Sequence, residues 1–157
     1  MVNIHLPDLY ELTVQGTQSN HIDFKSLHGK KWLIYFYPKD NTPGCTHESK
    51  DFRDLFDEFK KENTLIYGVS RDSISSHQRF KEKHQLPFEL IADTDEALCT
   101  LFDVIKEKSM FGKKVRGIVR STFLFNAKGE LCQHWAKVKV SGHAQEVLEA
   151  VKAMPEA

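Results

Sequence analysis

The sequence predicts one α/β domain, a central mixed sheet with helices packed on both faces, and three observations lead there. Strand-like runs, continuous or alternating in hydrophobicity, interleave with helical runs of period 3.6 along the 157 residues. No internal repeat, low-complexity tract or linker rich in Pro, Gly or Ser interrupts the alternation, so 1–157 reads as a single domain. A chain of this length also buries roughly 70% of its surface on folding, enough for a core without disulfides or a structural metal.

The elements follow in order. The first thirty residues read as short strand-like pieces, Leu12 to Val14 and His21 to Asp23, among turn formers at Gly16 and Asn20. Trp32 to Tyr37 is a continuous apolar and aromatic run stopped by Pro38, the pattern of a strand buried on both faces. Phe52, Leu55, Phe56 and Phe59 recur at i, i+3, i+4 and i+7, which predicts one long amphipathic helix with Lys50, Arg53, Asp57 and Lys60 toward water. Thr64 to Ser70 reads as a strand, Ser73 to His84 as a helix ending before Pro87, and Phe88 to Ala92 as another strand. Asp95 to Phe102 is a short helix with Leu98, Leu101 and Phe102 on one side. Lys106, Lys108, Lys113, Lys114, Arg116 and Arg120 against Glu107 form a basic stretch, read as a solvated loop. Ser121 to Phe125 and Leu131 to Val138 flank the turn Asn126-Ala127-Lys128-Gly129 as a hairpin, and a helix from His143 to Met154 closes the chain.

Composition removes several function classes. With 22 basic and 22 acidic residues the net charge is zero, which argues against nucleic acid or an anionic membrane as the main partner. The longest apolar run has six residues, against about 20 for a bilayer span. The N-terminus lacks a basic segment followed by an apolar one, so no secretory signal is expected and a reducing cytoplasm is the expected compartment. Eight histidines lie scattered without ligand spacing, so no metal is expected. Three cysteines, Cys45, Cys99 and Cys132, with no Cys-x-x-Cys pair, make neither a disulfide framework nor a zinc site. They are buried small hydrophobes, or one of them is reactive.

Position favours Cys45. Thr42 is a good N-cap and Pro43 a good first helical residue, which puts Cys45 third in the long helix, at the end where free amides favour negative charge. That helix starts just beyond the C-terminal edge of a central strand, where α/β proteins place reactive groups. A thiol of ordinary pKa ~8.5 is only about 3% ionised at pH 7, and a helix end stabilises an anion by up to ~2 kcal/mol, so a reactive thiol also needs a nearby cation. The competing reading is that Cys45 fills the core on the side of Phe52 and Phe59.

Two blocks carry a resemblance. Pro38-x-x-x-Thr42-x-x-Cys45, within Tyr35-Phe36-Tyr37-Pro38 through Thr42-Pro43-Gly44-Cys45-Thr46 and Glu48, resembles the peroxiredoxin signature in its bacterioferritin comigratory protein, or PrxQ, branch. Glu107-Lys108-Ser109-Met110-Phe111-Gly112-Lys113, followed by Gly117 to Leu124, is similar to the same branch in the same order. The resemblance spans roughly Leu6 to Met154 and implies a thioredoxin-like sandwich, for which the element order above is the right one. It implies a thiol peroxidase working without metal, haem or flavin. Cys45 would be the nucleophile that attacks hydrogen peroxide or an alkyl hydroperoxide and becomes a sulfenic acid. Thr42 would offer its hydroxyl to the thiolate or the peroxide, Pro38 would shield the sulfur, and Arg120 would supply the missing cation. The backbone amides of Gly44 and Cys45 would complete a cradle for charge. Glu48 would orient Arg120; on its own it reads as a solvated first-turn acid. His47 points off the Cys45 face and reads as a surface residue.

One departure matters. Members of the branch carry a resolving cysteine five residues after the nucleophile or on the following helix; here Lys50 stands at the first place and Ser73 to His84 holds no cysteine. Cys99 and Cys132 remain weak candidates and read as buried. A 1-Cys cycle is therefore expected in a monomer, with an external thiol from thioredoxin, glutaredoxin or glutathione; the rival is a rearrangement that brings Cys99 or Cys132 to Cys45. A thiol-disulfide oxidoreductase is disfavoured because the Cys-x-x-Cys frame reads Thr42-Pro43-Gly44-Cys45, and a stoichiometric peroxide sensor is the non-enzymatic alternative.

Overall fold

The computed structural model describes residues 4–154. In chain order these form α1 (Leu6–Glu11), β1 (Gln15–Gly16), a 3-10 turn (Phe24–Leu27), β2 (Lys31–Phe36), α2 (Pro43–Asp54), α3 (Phe56–Lys61), β3 (Thr64–Ser70), α4 (Ile74–His84), β4 (Glu89–Ala92), α5 (Ala97–Leu101), β5 (Ile105–Met110), β6 (Lys113–Ile118), β7 (Ser121–Phe125), β8 (Leu131–Trp135) and α6 (His143–Lys152).

Six strands make one mixed sheet in the order β1-β4-β3-β2-β7-β8. β2, β3 and β4 run parallel, while β7 pairs antiparallel with β2 and with β8, and β1 pairs antiparallel with β4. Every residue of β2 is buried. Its side chains alternate between two cores, as a strand's period of two requires. Trp32, Ile34 and Phe36 face a core shared with Leu9, Phe24, Leu98, Cys99 and Phe102. Leu33, Tyr35 and Tyr37 face a second one with Cys45, Phe52, Phe59, Phe80, Val147 and Val151. The sheet thus carries α1, the 3-10 turn and α5 on one face and α2, α3, α4 and α6 on the other, the sandwich expected. The C-terminal ends of the parallel strands all point to the edge where α2 begins.

Several expectations change. Leu12 to Val14 and His21 to Asp23 are not strands; Leu6–Glu11 is a helix, and among the described residues the only early strand is Gln15–Gly16. Pro7 sits in the first turn of α1, where its missing N–H costs nothing, and Leu9 is buried, but six residues are too few to display a period. The predicted long helix is broken at Leu55, which takes φ −100° and ψ 4°. The 3.6 periodicity survives the break because Leu55 N still donates to Asp51 O and Phe59 N to Leu55 O, the ordinary helical bonds that bridge it. Arg53 is half-buried rather than free in water, its guanidinium donating to the His84 carbonyl at 2.9 Å. The basic stretch is not a loop but the separate antiparallel ribbon β5–β6, turned at Phe111 and Gly112, both at positive φ. β8 stops at Trp135. Cys132 is exposed, not buried: it lies in an edge strand, at a register shift opposite Leu124 and Phe125.

Candidate active site

The site forms where β2 ends. Pro38 stands exposed just past Phe36 and the chain turns through Asn41 at φ 63° into α2. Thr42 occupies the N-cap position with extended φ and ψ, and Pro43 opens the helix as expected, yet the Thr42 side chain caps nothing. Its hydroxyl donates instead to the Lys39 carbonyl at 2.8 Å, closing the loop on itself. Cys45, third in α2, is completely buried.

Arg120 arrives immediately before β7 and joins two groups of α2. One guanidinium nitrogen, Nη2, donates to Cys45 Sγ at 3.3 Å, and Nη1 donates to Glu48 Oε1 at 2.8 Å. The cation that Cys45 requires is therefore present, 75 positions away in sequence. A Cβ on Gly44 would lie 3.1 Å from Arg120 Nη2, a tight contact that would move the guanidinium by a few tenths of an ångström. Glu48 is no solvated acid: it is 1% exposed, and its second oxygen, Oε2, has no hydrogen-bond partner. Burial raises the Glu48 carboxyl from its ordinary 4.5 to about 7 despite the opposing pull of Arg120, and Asp51 adds to the rise. Burial works to lower the Arg120 pKa, but the charges at Glu48 and Cys45 outweigh it and hold the guanidinium above its ordinary value.

Beneath the loop lies a polar knot that sequence reasoning missed. Asp40, buried, accepts from Tyr37 Oη at 2.7 Å and Ser76 Oγ at 2.9 Å, and its Oδ2 lies 2.7 Å from His77 Nδ1. His77 Nε2 donates to the Ile91 carbonyl at 2.9 Å, since a carbonyl can only accept. Asp40 N donates to Asp72 Oδ2, which also accepts from Ser70 Oγ. The knot ties the ends of β2, β3 and β4 to α4 and so fixes the loop that carries Thr42. Asp40, Asp72 and His77 bring their ligand-capable atoms within 4.8 Å of one another, a set with the donor types for a metal. Those same atoms already hydrogen-bond one another and the backbone. Asp40 and Tyr37 stood inside the first sequence block; nothing local marked His77, 37 positions on, as their partner.

Behind Cys45 two more buried pairs complete the floor. Tyr35 Oη and Ser49 Oγ are 2.9 Å apart, and Thr122 Oγ1 lies 2.8 Å from His143 Nε2. Burial pulls His143 down to about 4, so its ring is neutral at pH 7. His47 is exposed and pairs with Asp51 at 3.3 Å, a surface residue as expected. Lys50 is exposed too. Clefts of ≈350 and ≈500 Å³ lie along α2, the smaller between its C-terminal half and the start of α6 at Asp51, Asp54, Ala144 and Gln145, the larger lined by Asn41, Pro43, Thr46 and Lys50, and Cys45 lines neither.

The other thiols are elsewhere. Cys99 belongs to the core on the opposite face of the sheet. Cys132 is in β8, where Leu131 pairs with Phe125 and Phe125 with Trp32, at the end of β2 away from the site.

Residues 5–134 match the AhpC/TSA family. The chain is similar to peroxiredoxin Bcp of Xanthomonas campestris pv. campestris, 58% identical over 127 residues that cover 80% of this chain and 79% of that one. It is similar to peroxiredoxin Bcp of Bacillus subtilis, 46% identical over 146 residues and 93% of each chain. A solved structure of the Xanthomonas campestris bacterioferritin comigratory protein, described for its alkyl peroxide reduction activity, superposes with a TM-score of 0.92 at 47% identity, covering 98% of this chain and 97% of that one.

Proposed function

The chain belongs to the AhpC/TSA family, among its peroxiredoxin Bcp members, and from that premise we propose a hydroperoxide-reducing cycle centred on Cys45. It is a thiol peroxidase. The observation that carries the assignment of the nucleophile is Arg120 Nη2 at 3.3 Å from Cys45 Sγ, at the amino end of a twelve-residue helix. A permanent cation and a helix terminus together favour the thiolate, which attacks the terminal oxygen of the hydroperoxide. The Cys45–oxygen bond forms as the O–O bond breaks, leaving a sulfenic acid and an alkoxide or hydroxide. Arg120 then faces the charge that develops on the departing oxygen. Thr42, its proton committed to Lys39 O, turns lone pairs toward a substrate O–H. Pro38 serves as a lid over the sulfur, and the Gly44 and Cys45 amides as part of the anion cradle. Because Cys45 is sealed, hydroperoxide reaches it only after a small displacement of the groups above it.

The reduction step uses an external thiol. Cys99 lies across the sheet and Cys132 at its far end, and all three cysteines are free, which favours a 1-Cys cycle over an internal disulfide. Every group of the site comes from one chain, so a monomer suffices. Among the described residues no helix is long and apolar enough to cross a membrane. A reducing cytoplasm supplies the thioredoxin, glutaredoxin or glutathione that the cycle needs.

The test is peroxide turnover with dithiothreitol in wild type and Cys45→Ser, joined to mass spectrometry after one equivalent of peroxide. Loss of turnover in the variant and a sulfenic acid trapped on Cys45 are expected. Full activity in Cys45→Ser would remove Cys45 as the nucleophile, and a Cys45 disulfide to Cys99 or Cys132 would remove the 1-Cys cycle. A screen of the three reductants then identifies the donor.

A further inference from the structure

Around Arg120 the charges do not balance if every acid is ionised. One guanidinium serves both Cys45 Sγ and Glu48 Oε1, and all three groups are removed from bulk water: Cys45 entirely, Glu48 to 1% exposure, the Arg120 side chain to 18%. A thiolate and a carboxylate together would leave the pocket with one uncompensated buried negative charge, which is far costlier than a neutral pair. Glu48 Oε2 independently points the same way, because a buried oxygen with no donor near it suits a protonated carboxyl better than a carboxylate.

We infer that Glu48 titrates in counterphase with Cys45, holding a proton while Cys45 is a thiolate and releasing it when Cys45 is oxidised, so that Glu48 is the proton reserve of the peroxidase step. The inference rests on Cys45 being the peroxidatic nucleophile. The balance closes at each stage. The thiolate sulfur takes the terminal OH of ROOH and is oxidised by two electrons. The O–O bond breaks with its pair on RO, and RO⁻ leaves as ROH with the proton that Glu48 gives up. The pocket is neutral before, as Arg⁺, S⁻ and COOH, and neutral after, as Arg⁺, SOH and COO⁻. Two external thiols then return Cys45 to the thiol with release of water and a disulfide, and the Cys45 thiol proton passes back to Glu48 as the thiolate reforms.

The remaining groups facing the pocket leave this exchange to Glu48. From β2, Tyr35 is kept a neutral phenol by burial. From α6, His143 is neutral at pH 7: burial, with Arg120 helping and Glu146 opposing, lowers it to about 4. From α2 itself, Asp51 opposes ionisation of Glu48 and is paired with His47 at the surface. The rise of Glu48 to about 7 means that proton exchange costs little at neutral pH.

The experiment counts protons. Reduced protein, at a pH where the ultraviolet absorbance of the Cys45 thiolate is fully developed, receives one equivalent of tert-butyl hydroperoxide in weak buffer with an indicator dye. An infrared difference spectrum of oxidised minus reduced protein is recorded alongside. Wild type is expected to take up about zero protons per peroxide and to lose a protonated-carboxyl band; Glu48→Gln is expected to take up about one and to lack that band. Wild type taking up about one proton with no carboxyl band lost would overturn the inference, and Glu48 would be ionised throughout. Should Glu48→Gln fail to fold, heavy-isotope labelling of glutamate carboxyls in the wild type decides: the lost band must shift. If no sulfenic acid appears on Cys45, it is the nucleophile assignment that fails; sulfenic acid with an uptake of about one fails only the proton reserve.

Discussion

Cys45 and Cys99 hold the same place in two helices. Each is the third residue, in α2 and in α5, and each is completely buried. Their surroundings are opposite. At α2 the neighbour is a cation, Arg120 donating to the sulfur, and the N-cap side chain takes none of the helix amides. At α5 the neighbour is an anion: buried Asp93 accepts from Leu98 N at 3.0 Å and from Cys99 N at 2.8 Å, occupying the helix end. Burial first, and then the Asp93 charge, push the Cys99 thiol well above its ordinary range. The two helix amino ends therefore offer a thiol opposite surroundings, set by the sign of the group already seated there.

The largest contrast should come from the sulfurs. Cys45→Ser is expected to reduce peroxide turnover by about 10³-fold or more. Cys99→Ser should keep turnover within about twofold and instead lower Tm, because a hydroxyl replaces a buried thiol in the core. Equal losses in the two variants would end the contrast. Next comes the cation. Arg120→Ala should lower kcat/KM by about 10²-fold to 10³-fold, with Arg120→Lys recovering only part, since an ammonium cannot bridge Sγ and Glu48 Oε1 with two fixed donors.

Removing the anion at the other helix is a sharper trial. Asp93→Asn turns the acceptor of one of the two buried amides into an amide NH2, a donor, and leaves that N–H unpaired, at a cost of about 1–3 kcal/mol and a Tm lower by several degrees. In a Cys45→Ser background, iodoacetamide should label Cys99 faster in this variant, yet no turnover should appear, because no cation has been added. Turnover there would mean that freeing a helix end is enough.

The smallest effect is on acid stability. His143, behind the Cys45 site, falls from 6.5 in the unfolded chain to about 4 when folded. Between those values the unfolded chain binds more protons, so stability present above pH 6.5 is lost as pH falls toward 4. Glu48, raised to about 7, acts in the opposite direction, favouring the folded state as pH falls from about 7 toward 4.5. The two must be separated by comparison: the Tm of wild type should drop by roughly 3–8 °C more than that of His143→Gln over pH 6.5 to 4. Parallel curves would show that His143 is not the group responsible.

Much of this architecture was legible before folding. Thr64–Ser70 and Ser121–Phe125 are strands at the bounds their apolar runs predict, and α4 begins after Ser73, whose hydroxyl accepts from Ser76 N. What escaped has identifiable causes. Leu6–Glu11 is too short to show a period, and the break at Leu55 leaves the period intact. Burial of Cys132 was inferred from strand membership, but β8 is an edge strand and an edge exposes what a central strand covers. Glu48, which the resemblance has orienting Arg120, reads on its own as a solvated first-turn acid complementing the helix dipole; it is instead buried, with Arg120 donating to it from just before β7.

The sequence by itself determined the central strands, the helix start at Pro43 and the place of Cys45 at its third position, since the end of an apolar run and a proline at a helix start are local and act through backbone geometry. It also determined that no second thiol sits at either expected place, which Lys50 and the cysteine-free α4 settle by identity alone. Only the tertiary structure decided which cysteine has a cation. Arg120 is 75 positions from Cys45 and 72 from Glu48, and no local pattern encodes which charges fold into one pocket. Coulomb interactions and desolvation depend on distance in space, so the same third position of a helix has a cation, Arg120, at its sulfur in α2 and a buried carboxylate, Asp93, beside it in α5.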